Sequence, residues 1–249
     1  MAKLQGKVAV VTGASKGIGA AIAEKLAREG AAVVVNYSSS AAQAAALVEK
    51  IRAAGGKVAA IQADVSKPAE AQRLIASTVS EFGTVDVLVN NAGVYEFAPL
   101  EQVDESHYAR MFDLNVKGLL FATQAATNAF GDGGGAVINI SSVVSQGALP
   151  HSSVYSATKA AVDSLTRTLA AELGPKKVRV NSVLPGLVET DGARALPGWE
   201  QFAAQSAAQT PLGRVGQPED ISAVVAFLAT SDSGWISGQS IPVAGGFRA

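Results

Sequence analysis

The chain has 249 residues, a hydrophobic fraction of 48%, a charged fraction of 16% and a formal net charge of -1. So much apolar sequence excludes a disordered chain, and the balanced charge leaves no excess of Lys and Arg to bind nucleic acid phosphates. The absence of cysteine excludes disulfides and thiolate nucleophiles, and with only two histidines we expect no metal site. The N-terminus shows no signal-peptide pattern and no segment approaches the ~20 apolar residues of a membrane helix, so we expect a cytoplasmic protein without membrane contact.

Short β-branched segments alternate with Ala- and Leu-rich segments of helical periodicity. The predicted strands are 7–12, 31–36, 57–62, 85–90, 136–141, 178–183 and 240–243, and the predicted helices are 17–29, 40–54, 68–82, 104–130, 153–173 and 217–230. Continuous Val and Ile runs indicate strands buried on both faces. This alternation predicts an α/β fold, a doubly wound parallel seven-stranded sheet with helices on both faces, in a single domain over 1–249. Segment 187–210 is too long for a simple crossover and is predicted to be a substrate lid.

The first predicted strand ends in TGASKGIG (12–19), where a helix begins. The N-terminus of a helix offers unpaired N–H groups to an anion, and glycines let the backbone approach a pyrophosphate. The spacing G-x-x-x-G-x-G after the first strand therefore predicts a dinucleotide site. A tight strand-to-helix turn without a ligand would explain the same glycines.

The end of the second predicted strand indicates which dinucleotide binds. It reads Asn36, Tyr37, Ser38 and Ser39, without the acidic residue that holds the ribose hydroxyls in NAD-binding units. A carboxylate would repel a 2′-phosphate, whereas Asn and Ser can donate hydrogen bonds to it, and Lys16 adds a positive charge. We therefore predict NADP(H) rather than NAD, although the serines can instead cap the next helix.

Tyr155 and Lys159 lie one helical turn apart in YSATK. A phenol has a pKa of about 10, and a nearby ammonium lowers it, so this pair can act as a general acid or base. Ser142 follows the fifth predicted strand, and Asn115 interrupts a helical segment in which Asn is a poor helix former. These residues predict a catalytic site at the sheet edge that carries the glycine turn.

Taken in order, these motifs resemble the short-chain dehydrogenase/reductase family in its compact branch. The matching segments are TGASKGIG (12–19), DV (64–65), NNAG (90–93), Asn115, Ser142, YSATK (155–159), PG (185–186) and ISGQSIPVAGG (236–246). The resemblance covers the whole chain. It implies a Rossmann-like fold, a nicotinamide cofactor that supplies a hydride, and a homotetramer.

The resemblance also implies roles for individual residues. Tyr155 would supply the proton, and Lys159 would bind the nicotinamide ribose and lower the pKa of the tyrosine. Ser142 would polarise the substrate carbonyl, and Asn115 would hold a water in a proton relay. The other implied cofactor contacts are Gly13, Ser15, Lys16, Gly17, Ile18, Gly19, Asp64, Val65, Asn91, Ala92, Gly93, Pro185, Gly186, Val188 and Thr190.

Segments that follow the fourth, fifth and sixth strands are expected to line the substrate pocket. The candidates are Val94, Tyr95, Val144, Leu149, His151, Leu187, Trp199 and Phe202. Most are apolar and no arginine clamp is evident, which predicts an NADPH-dependent carbonyl reductase, reversibly an alcohol dehydrogenase, for a largely apolar ketone. His151 can instead be an exposed loop residue, and Trp199 can pack within the lid.

Two other functions stay open. The first is a 3-oxoacyl-acyl-carrier-protein reductase, which needs a basic patch for its acidic partner; residues 123–135 contain no Lys or Arg, whereas Lys176 and Lys177 argue for such a patch. The second is a non-catalytic NADP(H)-binding regulator. A sequence without Tyr155 would have indicated this function, but Ser142, Tyr155 and Lys159 are all present.

The predicted helices 104–130 and 153–173 carry apolar residues on more than one face. Such helices need a partner beyond the sheet, which agrees with the implied homotetramer. Trp235 is assigned to core or subunit packing.

Overall fold

The computed structural model describes residues 2–247 of the chain. The strands are β1 (Val8–Val11), β2 (Ala32–Tyr37), β3 (Val58–Gln62), β4 (Val87–Asn90), β5 (Gly135–Ile140), β6 (Val178–Pro185) and β7 (Ser240–Val243). They form one sheet in the order β3-β2-β1-β4-β5-β6-β7, and every neighbouring pair is parallel. The predicted seven-stranded, doubly wound parallel sheet is confirmed.

Helices cover both faces of this sheet. They are α1 (Gly17–Arg28), α2 (Ala41–Ala53), α3 (Pro68–Phe82), α4 (Glu105–Phe112), α5 (Leu119–Thr127), α6 (Ser153–Leu173), α7 (Asp191–Arg194), α8 (Trp199–Gln209) and α9 (Pro218–Ala229). The single helix predicted over 104–130 is wrong in one respect. A π-helical turn, Asp113–Gly118, separates α4 from α5 and contains Asn115.

The continuous apolar runs of the strands follow from burial on both faces. Ala9 and Val11 of β1 belong to the apolar cluster beneath α1, α2 and α9. Val10 points to the opposite face and joins the cluster beneath α3, α5 and α6. All three residues are fully buried, because successive side chains of a strand alternate between the faces.

The strand order reverses between β1 and β4, since β1 lies between β2 and β4. In open parallel sheets the ligand binds outside the carboxyl ends of the strands at such a switch point. The glycine turn follows β1 and the NNAG segment follows β4, so the fold brings two of the predicted motifs to this point.

Segment 187–210 contains the short helices α7 and α8. An isolated parallel bridge between Val188 and Gly216 joins its first residues to the body of the protein. Trp199 is buried and packs within the fold, whereas Phe202 is half exposed. Trp235 is fully exposed, so the core is excluded as its place and subunit packing stays a prediction. Within residues 2–247, no helix is both long and apolar enough to cross a membrane.

Candidate active site

The backbone of the glycine turn adopts conformations that favour glycine and approaches the NNAG segment closely. Gly13 and Gly17 have φ of 61° and 59°, a region that disfavours residues with a Cβ atom. A Cβ atom on Gly13 would lie 2.9 Å from the Cα of Ala92. The turn therefore presents bare backbone at the N-terminus of α1, which fits a dinucleotide phosphate.

Asn91 holds the turn from the neighbouring strand. Its side-chain Nδ2 donates to the carbonyl oxygens of Thr12 and Gly13 at 2.9 and 3.1 Å. The Thr12 hydroxyl in turn accepts from the backbone N–H groups of Asn91 and Ala92, both at 3.0 Å. Sequence reasoning missed Thr12, and it gave Asn91 a cofactor contact without its role in joining the ends of β1 and β4.

Gly19→Ala is expected to distort the glycine turn and so to weaken the binding of the predicted cofactor. The new Cβ atom would lie 2.6 Å from the Gly13 carbonyl oxygen and 2.5 Å from Asn91 Nδ2, so the turn must move. We expect the affinity for NADPH to fall at least about 10-fold and the protein to lose about 1–3 kcal/mol of stability. Fluorescence titration with NADPH measures the first effect and urea unfolding the second. Gly131→Ala is the matched control, because its Cβ would meet no atom within 4 Å, and unchanged NADPH affinity in Gly19→Ala would contradict the prediction.

The prediction that Asn36 donates to the 2′-phosphate is wrong. Its side chain is buried, and the residue is 2% exposed. Its Oδ1 accepts from the Gly13 N–H at 3.1 Å, and its Nδ2 donates to the carbonyls of Ile61 and Ala63 at 3.2 and 3.0 Å. Asn36 therefore ties the glycine turn to β2 and β3, and its amide is fully used within the protein.

The other residues predicted to contact the 2′-phosphate have accessible positions. Lys16 is exposed in the glycine turn, and Ser38 and Ser39 are exposed just beyond β2. Tyr37 is half-buried and packs against the apolar cluster. Hence one lysine and two serine side chains are available where an acidic residue is absent.

Asp64 and Val65 follow β3. The Asp64 carboxylate accepts from the Ser66 hydroxyl at 2.7 Å and lies 3.6 Å from Lys67. Burial acts to raise the pKa of Asp64, but these partners outweigh it and hold that pKa below the usual value. Val65 has its side chain in the core, so only its backbone can reach a cofactor.

Tyr155 and Ser142 stand together at the carboxyl edge of the sheet. Tyr155 lies in the first turn of α6, and Ser142 follows β5 with its Oγ accepting weakly from the Val144 N–H at 3.4 Å. Burial raises the pKa of the Tyr155 hydroxyl to about 12, and the Ser142 hydroxyl acts in the opposite direction. At neutral pH Tyr155 is therefore protonated and can donate.

Lys159 lies beneath the tyrosine. Its Nζ donates to the Ile140 carbonyl at 2.9 Å and lies 5.6 Å from the centroid of the Tyr155 ring. Burial lowers the pKa of Lys159 to about 8, while the Asp163 carboxylate acts to raise it. In this structure burial dominates the pKa of Tyr155, and the lowering of that pKa by Lys159 stays a prediction.

Asn115 uses its whole side chain to hold the segment after β4. Its Oδ1 accepts from the Val94 N–H at 2.9 Å, and its Nδ2 donates to the Val94 carbonyl at 2.8 Å and to the Thr158 hydroxyl at 3.1 Å. A water relay through Asn115 would therefore have to use its backbone, which lies in the π-helical turn. Such turns are frequent at functional sites.

Asp163 is a buried carboxylate that sequence reasoning missed. It lies one turn beyond Lys159 and accepts from the Ser145 and Ser182 hydroxyls at 2.6 and 3.0 Å. Ser145 belongs to the short turn after Ser142, so Asp163 fixes that turn against β6. Its position one helical turn after Lys159 was the available signal.

The remaining predicted residues lie in three places. One place is the end of β6 and the segment after it, which carry Pro185, Gly186, Val188 and Thr190. The Thr190 hydroxyl caps α7 by accepting from the Ala193 N–H at 3.2 Å. Leu187 lines a cavity of about 180 Å³ whose other lining residues are Thr210, Leu212, Arg214, Gly216, Asp220 and residues 243–245. The exposed candidates His151 and Leu149 lie in the loop before α6, and Val144 is half-buried. Of the two alternatives for His151, a pocket residue or an exposed loop residue, the structure shows the second.

Comparison with known proteins agrees with this architecture. Residues 13–248 match the family model described as Enoyl-(Acyl carrier protein) reductase. An uncharacterized oxidoreductase of Methylorubrum extorquens is 57% identical over 249 residues, which is 100% of both chains. A short-chain dehydrogenase/reductase from Serratia marcescens is 41% identical with a TM-score of 0.94, covering 99% of this chain and 100% of that one. A blue fluorescent protein from a metagenomic library, solved in complex with NADPH, is 39% identical with a TM-score of 0.92, covering 99% and 100%.

The fold and these matches define an oxidoreductase. The chain belongs to the short-chain dehydrogenase/reductase family, whose members use NAD(P)(H).

Proposed function

We propose that this protein is an NADPH-dependent carbonyl reductase that reduces a largely apolar ketone. The observation that carries the proposal is the position of the Tyr155 hydroxyl beside Ser142 and above Lys159, at the sheet edge that holds the glycine turn. A protonated phenol is a proton donor, which is what carbonyl reduction requires. The family match supports the same class of reaction.

In this proposal each residue has a distinct task. A bound nicotinamide cofactor supplies the hydride. The Ser142 hydroxyl donates a hydrogen bond to the carbonyl oxygen, where negative charge develops, and Tyr155 transfers its proton to the same atom. Donors aimed at a developing charge contribute about 3–4 kcal/mol each to lowering the barrier. Lys159 places a buried positive charge beside the tyrosine ring, which favours the phenolate left after proton transfer.

NADPH is the proposed cofactor rather than NADH. No acidic residue follows β2 directly, Ser38 and Ser39 are exposed just beyond this strand, and Lys16 is exposed in the glycine turn. The structural relative solved with NADPH supports this preference.

Ser38→Asp is expected to reverse the cofactor preference. The new carboxylate would repel a 2′-phosphate and accept from the ribose hydroxyls of NADH. We expect the KM for NADPH to rise about 10-fold or more, which corresponds to about 1.4 kcal/mol, and the KM for NADH to fall. Steady-state assays with both cofactors measure the change. Ser38→Asn is the matched control without the charge, and an equal loss with both cofactors in Ser38→Asp would contradict the prediction.

The function itself is tested by absorbance at 340 nm with NADPH, NADH, a ketone panel and acetoacetyl-coenzyme A. The proposal expects ketone-dependent oxidation of NADPH. A rate of NADPH oxidation with acetoacetyl-coenzyme A far above the rate with every ketone would instead support a reductase of fatty-acid synthesis. Tight NADPH binding without turnover would support a non-catalytic regulator.

An acyl-carrier-protein substrate is the second candidate, because the matching family model carries that name. The charges near the site do not favour it. Arg110 pairs with Glu96 at 2.6 Å, Arg194 pairs with Glu189 at 2.9 Å, and each is therefore neutralised locally. An acidic carrier protein would be recognised by unpaired basic residues.

We further propose that segment 187–210 is the substrate lid. Phe202, on α8 of this segment, is half exposed and offers apolar surface to a substrate.

We also propose that the protein is a homotetramer. Tyr108 and Leu120 expose apolar surface on α4 and α5. Exposed apolar residues on adjacent helices favour a subunit contact. Light scattering after size exclusion tests the assembly, and the mass of a single chain would contradict it.

A further inference from the structure

Two aromatic residues surround the ring of Tyr155 from the segment after β4. The ring centroids of Tyr95 and Phe97 each lie 6.2 Å from that of Tyr155, with interplanar angles of 61° and 80°. Tyr95 and Phe97 are 6.1 Å apart. The two contacts with Tyr155 are edge-to-face, and all three centroid distances are within the favourable range for aromatic pairs. Phe97 was absent from the predicted pocket.

The segment that carries these rings is held at alternate residues. Val94 is bonded through its N–H and its carbonyl to Asn115, at 2.9 and 2.8 Å. Glu96 pairs with Arg110 at 2.6 Å, and the Ala98 N–H donates to the His151 carbonyl at 2.9 Å. These contacts anchor the backbone on both sides of Tyr95 and Phe97, so the two rings project from a held segment.

Both rings still have a large uncovered surface. Tyr95 is 47% exposed and Phe97 is 53% exposed. Each ring packs one part of its surface against the Tyr155 ring and leaves the rest exposed beside the residue that would donate the proton. A ketone whose oxygen is bonded to Tyr155 must place its substituents next to this residue, and thus within reach of the two rings.

We infer that Tyr95 and Phe97 form an aromatic wall that makes aryl ketones the preferred substrates of this site. The inference rests on the proposed carbonyl reductase function and names its substrate class. An aryl group gains specific edge-to-face or offset contacts with the two rings, and a saturated ring of similar size gains only apolar burial. No charged group belongs to the wall itself, since the charge of Glu96 is paired with Arg110.

The test compares acetophenone with cyclohexyl methyl ketone in wild type, Phe97→Leu and Phe97→Tyr. We expect the acetophenone-to-cyclohexyl ratio of kcat/KM to fall about 10-fold in Phe97→Leu, which is the upper range for one aromatic pair, and to be retained in Phe97→Tyr. The intrinsic reactivities of the two ketones cancel, because each variant is compared with the wild type. Phe227→Leu on α9, another exposed phenylalanine, is the matched control and should leave the ratio unchanged.

Two results would overturn the inference. One is an equal loss of kcat/KM for both ketones in Phe97→Leu, which indicates a structural role, and the other is an unchanged ratio. If the wild type reduces no ketone of the panel, the proposed function fails, and the wall is then tested by binding. Saturation-transfer NMR with the NADPH-bound protein should show acetophenone bound in preference to cyclohexyl methyl ketone and lost in Phe97→Leu; equal binding of the two ketones would refute the wall.

Discussion

Tyr155→Phe is expected to lower kcat for ketone reduction about 10³-fold, within the range for loss of a general acid. The variant removes only the hydroxyl, which is the proton donor of the proposed reaction. Burial holds the pKa of that hydroxyl at about 12, so the wild type carries the proton throughout the neutral range. The phenyl ring keeps its contacts with Tyr95 and Phe97, and the fold and NADPH affinity should be unchanged.

Single-turnover absorbance at 340 nm measures the rate, and fluorescence titration measures the affinity for NADPH. Tyr108→Phe is the matched control, because this tyrosine stacks on Phe112 at 4.4 Å on α4 and is half exposed. It should keep full activity. A Tyr155→Phe variant that retains a tenth of the wild-type rate would show that another group donates the proton.

The fold could be predicted from the sequence because its signals are local. Val8 to Val11 form a continuous apolar run that only a strand buried on both faces explains, and the structure buries all four residues. The catalytic spacing of Tyr155 and Lys159 is equally local, since one helical turn fixes it.

The errors arose where the outcome depends on distant residues. Asn36 looks like a surface donor until β3 is placed beside β2, which brings the Ile61 and Ala63 carbonyls to its amide. Phe97 has no pattern of its own, and its position follows from Asn115 and His151, which hold the segment on either side. Such contacts become visible only in the assembled sheet.

The lowered pKa of Lys159 means that the positive charge used in the proposed reaction also destabilises the folded protein. Burial lowers this pKa from 10.5 to about 8, so charging this lysine in the folded protein is unfavourable by roughly 3 kcal/mol. Between pH 8 and 10.5 the unfolded chain binds more protons at this group than the folded chain does. The wild-type free energy of unfolding therefore rises with pH in that window, and the full penalty is present at pH 7.

Lys159→Met is expected to lower the rate of ketone reduction strongly and to stabilise the fold at pH 7. Ketone reduction should fall about 10²-fold or more, because the positive charge beside Tyr155 is lost. Removing the buried charge relieves roughly 3 kcal/mol, and leaving the Ile140 carbonyl without its donor costs about 1–3 kcal/mol, so we expect a net gain of about 1 kcal/mol.

Urea unfolding at pH 7 and pH 9.5 measures this gain, and the advantage of Lys159→Met should shrink at the higher pH as the wild-type lysine loses its proton. Lys176→Met is the matched control: this lysine is exposed, and the substitution should change stability by less than about 0.5 kcal/mol at either pH. A Lys159→Met variant that is less stable than the wild type at pH 7, or whose advantage does not change with pH, would mean that the folded protein holds the charged ammonium without penalty. The positive charge of Lys159 would then serve the proposed chemistry without lowering the free energy of unfolding.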